Sequence, residues 1–230
     1  MQFNFVAGAI AAVALFIPVL LILAGQLFKN GSLLALCIYY TFTALYILTA
    51  LEVVRLPQLF TQNAPAAFNY LDAPLMLMAL LFFSNEAWKR RLVWIALALY
   101  IVFESVIGVL FGLGKKSSTY LLGPGTILVL SLTIFFFAHY GKISIVQGKS
   151  VGKTFMLVAI LFLYGCYLML YYLHYLQHSP DIADLFLIYY IGQFFSAVLM
   201  SIGLVWLIRR SREIKSLQQT RKELALFFDN

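Results

Sequence analysis

Charge is what this sequence has least of. Only 11% of its 230 residues are Asp, Glu, Lys or Arg, against 63% hydrophobic, and the mean hydropathy is +0.93. That balance excludes an ordinary soluble domain, where about a quarter of residues are charged. Cysteine is scarce as well: Cys37 and Cys166 stand in separate apolar runs at different depths. Their placement argues against a disulfide framework and reads as packing. There is no phosphate-binding loop, no dinucleotide fingerprint and no Ser/His/Asp order, and Gly108 with Gly112 makes at most a helix-packing notch. The net charge of +7 does not mark a nucleic-acid surface, because the basic residues fall in the gaps between apolar runs. The first run, Phe5 to Leu23, lacks a positive leader and a distinct small-residue cleavage site. It reads as a retained span and not a signal peptide.

What is present is a succession of membrane-length segments. At about 20 apolar residues per crossing, seven helices are expected near 5–25, 33–54, 66–84, 91–112, 120–140, 154–176 and 183–208. Charge, glycine or proline closes each one, as at Lys29-Asn30-Gly31, Asn85 to Arg91 and Gly141 to Gly152. The fold class is therefore all-α, a polytopic seven-transmembrane-helix bundle over residues 1–208, with a basic amphipathic tail helix over 209–230. Thirteen of the sixteen Lys and Arg residues fall on one side; Arg55, Lys115 and Lys116 fall on the other. The excess of positive charge inside puts the N-terminus outside and the C-terminus in the cytoplasm. The expected location is the inner membrane of a bacterium, with the lipid bilayer as the first partner.

Within the spans, ionisable groups are few and lie toward the outer half. Asp72, two residues before Pro74, sits in a membrane-length apolar stretch, where a lone Asp costs about 2.5–3.5 kcal/mol and so faces protein, a cavity or a ligand. Pro74 frees a carbonyl near Tyr70 and adds a kink beside the carboxylate. Asn69, Tyr70 and Gln193 are its candidate partners, and Glu104 joins it in the outer half or faces a neighbouring subunit. Glu52 and Arg55, three apart, have ion-pair spacing and equally suit an interfacial pair reaching to headgroups. Tyr164, Tyr167, Tyr171, His174 and His178 step by three and four along one helix face. His174, His178 and Asp181 have the spacing of a metal site but lack a further ligand and a general base, and they also suit an aromatic and imidazole rim at the interface. In the tail, Ile214, Leu217, Leu224 and Phe228 suit a helix on the inner leaflet or the start of a coiled linker.

Three patches resemble microbial rhodopsins. Asp72-Ala-Pro-Leu-Met-Leu-Met is similar to the Thr-Thr-Pro-Leu-Leu-Leu stretch of that family's third helix. Tyr164, Tyr167 and Tyr171 resemble the aromatic set lining its retinal pocket, and Gly203 to Arg212 is similar to the end of its seventh helix. The resemblance implies the heptahelical scaffold and an aromatic pocket. It also places Ser201 where the family carries the retinal-binding lysine, Phe68 at the proton acceptor, Pro65 at the arginine and Ala79 at the proton donor. Covalent retinal is excluded on that alignment, proton pumping by the family's mechanism with it, and no other cofactor is expected.

These features point to a sensor or receptor-type module more than to an enzyme. It would bind a small or lipid-like hydrophobic ligand non-covalently in an outer pocket of Asp72, Asn69, Tyr70, Glu104, Tyr164, Tyr167, Tyr171, Gln193 and Ser201. It would report to a cytoplasmic signalling partner or within a homo-oligomer. Two other readings stay open: a transporter or metal-dependent lipid enzyme using Glu52, Asp72 and Glu104, and a structural subunit of a membrane complex.

Overall fold

The computed structural model describes residues 2–54, 58–112, 114–177 and 182–228. Among them the secondary structure is helical throughout: α1 (Gln2–Ala24), α2 (Gly31–Ala50), α3 (Gln58–Leu80), α4 (Ala87–Phe111), α5 (Lys115–Gln147), α6 (Val151–Tyr171) and α7 (Ile182–Phe228). Six of them are long and apolar enough to cross a membrane, and α3 contributes a shorter apolar helical stretch, Ala67–Phe83. The chain thus has the helical character of an integral membrane protein. Its outward face agrees: Val13, Leu20, Val102 and Val109 are all more than 60% exposed, an apolar surface that hydrocarbon tolerates and water does not.

Local chemistry sets the helix ends. The Asn30 side chain accepts from the Ser32 amide at 3.0 Å and starts α2. Gly112 and Gly148, at φ 68° and 60°, close α4 and α5 in a region where a side chain would be strained. Glu52 has φ 57° and lies past the end of α2. Arg55 itself is outside the described residues.

Consecutive helices pack side by side, and α7 returns to α1 to close a ring, while α3 also reaches across to α5. Leu15, Ile22, Leu36, Met76, Leu77, Leu163 and Met200 fill the interior. At the α6–α7 seam the helices nearly touch: a Cβ on Gly152 would stand 2.7 Å from the Gly203 carbonyl oxygen. Small residues allow that approach where no hydrophobic effect drives helices together.

Two lengths differ from the sequence expectation. α5 runs on through Gly141 and Lys142 to Gln147, so its connection to α6 shrinks to residues 148–150. α7 passes through Arg209 without a break and absorbs the tail as far as Phe228. Apolarity marks the part of a helix that sits in lipid, whereas polar residues such as Lys142, Ser144 and Gln147 continue the helix without registering as span.

Candidate functional site

Asp72 lies inside the bundle, 5% exposed. Tyr164 of α6 donates its hydroxyl to Asp72 Oδ2 at 2.9 Å, while Oδ1 has no hydrogen-bond partner. Around this carboxylate runs a band of buried hydroxyls. Tyr39 of α2 and Tyr167 of α6 share a hydrogen bond at 3.3 Å, and Gln193 Nε2 of α7 donates to Tyr167 at 2.5 Å. Tyr40 pairs with Ser196 at 3.2 Å. Tyr39 is also within electrostatic reach of Asp72. The band ties α2, α3, α6 and α7 together and still leaves the Gln193 carbonyl and the Tyr189 hydroxyl unpartnered. Buried polar groups are nearly always satisfied, so these orphans mark a place where something further belongs.

Directly beside the band, at the end of the bundle where α1 begins, is a cavity of about 240 Å³. Tyr46 of α2 and Asn69 of α3 form one side. Leu122 and Thr126 of α5 form another, and Tyr167, Leu170 and Tyr171 of α6 a third. Phe186 and Tyr189 of α7 complete it, with His174 at the mouth. Tyr167 and Tyr189 stack with rings 5.9 Å apart and 5° from parallel, so Tyr167 belongs to the cavity wall and to the hydroxyl band at once. His174 sits in a π-helical stretch, Tyr172–Leu176, whose widened turn is marked by the Gln177 amide reaching the Tyr172 carbonyl at 3.0 Å. Such turns cluster at functional sites. Gly123 makes room for Tyr171: a Cβ there would meet the ring at 2.7 Å.

The opposite end carries a different polar cluster. Glu86 accepts from Lys89 Nζ and from Trp88 Nε1, each at 2.6 Å, and Lys89 also approaches His139 Nε2 at 3.3 Å. Lys153 reaches Asn85 at 3.2 Å and lies 4.9 Å from the ring centres of Phe82 and Tyr140. Tyr140 donates to the Phe83 carbonyl at 2.7 Å. The Lys89 bond, then Trp88, hold the Glu86 carboxyl below the usual range. This cluster ties the α3–α4 turn to α5 and α6, and it fills an end that the sequence alone makes look empty of buried charge: Lys89 is 5% exposed.

The sequence-derived pocket residues divide into three groups. Asn69, Tyr167 and Tyr171 line the cavity. Asp72, Tyr164 and Gln193 form the band beneath it. Tyr70, Glu104 and Ser201 stand apart from both: the Tyr70 hydroxyl is unpartnered and stands 3.4 Å from where a Cβ on Gly108 would lie, and the Ser201 hydroxyl bonds back to the Ala197 carbonyl at 2.7 Å. Glu104 is buried at 9% exposure on α4. His178 and Asp181 lie outside the described residues, and among those described no three His, Cys, Asp or Glu side chains gather as a metal site. Sequence reasoning passed over Tyr39, Tyr40 and Tyr46 on α2. The spacing of Tyr39, Thr43 and Tyr46 by four and three was the available signal.

No family model, curated protein or solved structure compared with this chain matches it.

Proposed function

We propose that the chain is a seven-span receptor-type membrane module, divergent from the microbial rhodopsin pattern, whose outer cavity binds a small or lipid-like molecule non-covalently. The observation that carries the reading is the shared wall: Tyr167 contacts the cavity on one side and the Tyr39–Gln193 hydroxyl band on the other. An occupant that moves Tyr167 therefore acts on α2, α6 and α7 together, and α7 runs unbroken toward the opposite end. A coupled element of this kind is what a ligand must bias to send a signal. Here α3 serves as the seventh span, the N-terminus lies outside and the membrane is a bacterial inner membrane. The bundle holds no covalent retinal, since Ser201 stands in place of the lysine, and Phe68, Pro65 and Ala79 supply no pumping residues.

The test is native mass spectrometry of the full-length protein in nanodiscs, beside the cavity-filling variant Leu170→Trp. The wild type is expected to carry a bound molecule that the folded variant has lost. A wild-type protein with no bound mass, whose melting temperature no small hydrophobic compound shifts, would overturn the reading.

A second reading, proton-coupled transport, draws on the two buried carboxylates: Asp72 and Glu104 both lie within electrostatic reach of Tyr100. Proteoliposomes with an internal pH dye separate it from a receptor, since transport acidifies or alkalises the lumen and binding alone does not.

A further inference from the structure

We propose that the outer cavity selects an organic cation: an ammonium group on a compact apolar body, with Asp72 as its countercharge. The inference deepens the receptor reading and rests on it. Three observations converge.

The first is the wall. Tyr46, Tyr167, Tyr171, Phe186 and Tyr189 bring five aromatic rings to one small cavity, with Tyr46 set edge-on to Tyr189 at 6.5 Å and 84°. Ring faces carry the negative part of the aromatic quadrupole, and an enclosure of this kind holds alkylammonium groups.

The second is the buried acid. Asp72 lies about one turn deeper along α3 than the cavity residue Asn69, and its polar neighbours are neutral hydroxyls, Tyr164 donating at 2.9 Å with Tyr39 beside it. Among the described residues no Lys, Arg or His forms an ion pair with it; Lys89 pairs with Glu86 and Lys153 lies with Asn85 and Tyr140, both at the other end of the bundle. A carboxylate buried without a cation is poorly compensated, and an occupant carrying positive charge supplies what the protein does not.

The third is the set of orphans. Asp72 Oδ1 and Gln193 Oε1 are acceptors with no donor, on side chains 5% and 0% exposed, and the Tyr189 hydroxyl on the cavity wall is unpartnered. Two unmet acceptors in the band behind the cavity wall favour a guest that brings positive charge or donors. An anion would be repelled there, and a neutral hydrocarbon would leave all three atoms as they are.

The test compares two probes of one shape: benzyltrimethylammonium and neopentylbenzene, in which carbon replaces the charged nitrogen. Both are titrated by equilibrium dialysis into full-length protein in neutral-lipid nanodiscs at pH 8. The wild type is expected to bind the cation at least about tenfold more tightly, as a desolvated cation–aromatic contact with a nearby carboxylate implies. Asp72→Asn is expected to shrink the preference to what the aromatic wall alone supplies and leave the uncharged probe unchanged, while Leu170→Trp excludes both. Equal affinity for the two probes in the wild type, or a preference undiminished in Asp72→Asn, overturns the proposal and leaves the cavity reading standing. Binding of neither probe to the wild type overturns both. The wild-type comparison stands without any variant, so poor folding of Asp72→Asn does not remove the test.

Discussion

At the scale of single residues, the molecule keeps an acid where stability alone would not. Removing the charge at Asp72 should help the empty protein. Asp72→Asn retains an acceptor for Tyr164 and removes a desolvated anion, so its melting temperature without ligand should exceed the wild type's. Tyr164→Phe acts oppositely, taking the hydroxyl from a carboxylate that keeps its burial, at a cost of about 1–3 kcal/mol in denaturant unfolding. A destabilised Asp72→Asn would mean that the carboxylate serves structure and not a guest. Glu86 offers a contrast on the surface: its pKa is lowered by Lys89 and Trp88, so its contribution is whole above the ordinary carboxylate range and fades as pH falls through the lowered value. Glu86→Gln should melt earlier than wild type at neutral pH, and the two curves should merge in acid. Asp72 was legible in the sequence because a lone charge in an apolar run is conspicuous. Tyr39 and Tyr40 were not, since a tyrosine in an apolar helix looks the same whether its hydroxyl meets Tyr167 or an interface, and the partner is 128 residues away.

At the scale of elements, hydropathy located the helices and misjudged their lengths. The runs of apolar residues gave the order and the turns, yet α5 and α7 extend well past the last apolar residue of their spans, because polar helix formers add turns without adding hydropathy. The continuity of α7 also bears on the two sequence readings of the tail. A helix lying flat on the inner leaflet needs a bend near Arg209, whereas a linker continues straight, and α7 is one uninterrupted helix from Ile182 to Phe228. Spin labels at Phe195→Cys and Gln219→Cys, 24 residues apart, should report a separation of roughly 36 Å for a straight helix, against about 26 Å for a right-angled bend near 209. The α6–α7 seam makes a second prediction. Gly203→Leu must push a side chain into Met156 and the Gly152 carbonyl, where the nearest atoms stand at 2.6 and 2.7 Å. It should cost about 1–3 kcal/mol or more and loosen α7 from α6, read as a lower melting temperature.

At the scale of the whole molecule, the two ends of the ring carry different chemistry. One holds an aromatic cavity over a hydroxyl band; the other holds Lys89, Lys153, Glu86 and His139 knotted around the α3–α4 turn. Which end meets the cytoplasm decides what the cavity can sense, and the distribution of Lys and Arg argues that the cavity faces out. The argument is sharp at the two ends of α5, where Lys115 and Lys116 begin it and Lys149 follows it. A membrane-impermeant maleimide applied to intact spheroplasts should label Lys116→Cys at once and Lys149→Cys only after permeabilisation. The native thiols interfere little, since Cys37 is buried and Cys166 half-buried within the bundle. The reverse pattern would turn the cavity toward the cytoplasm. Its occupant would then be an intracellular molecule, and α7 would carry its basic extension, Arg209 to Lys222, away from any cytoplasmic partner. A signal from outside to inside would then have no output, so this one labelling experiment bears on the receptor reading as directly as any measurement of binding.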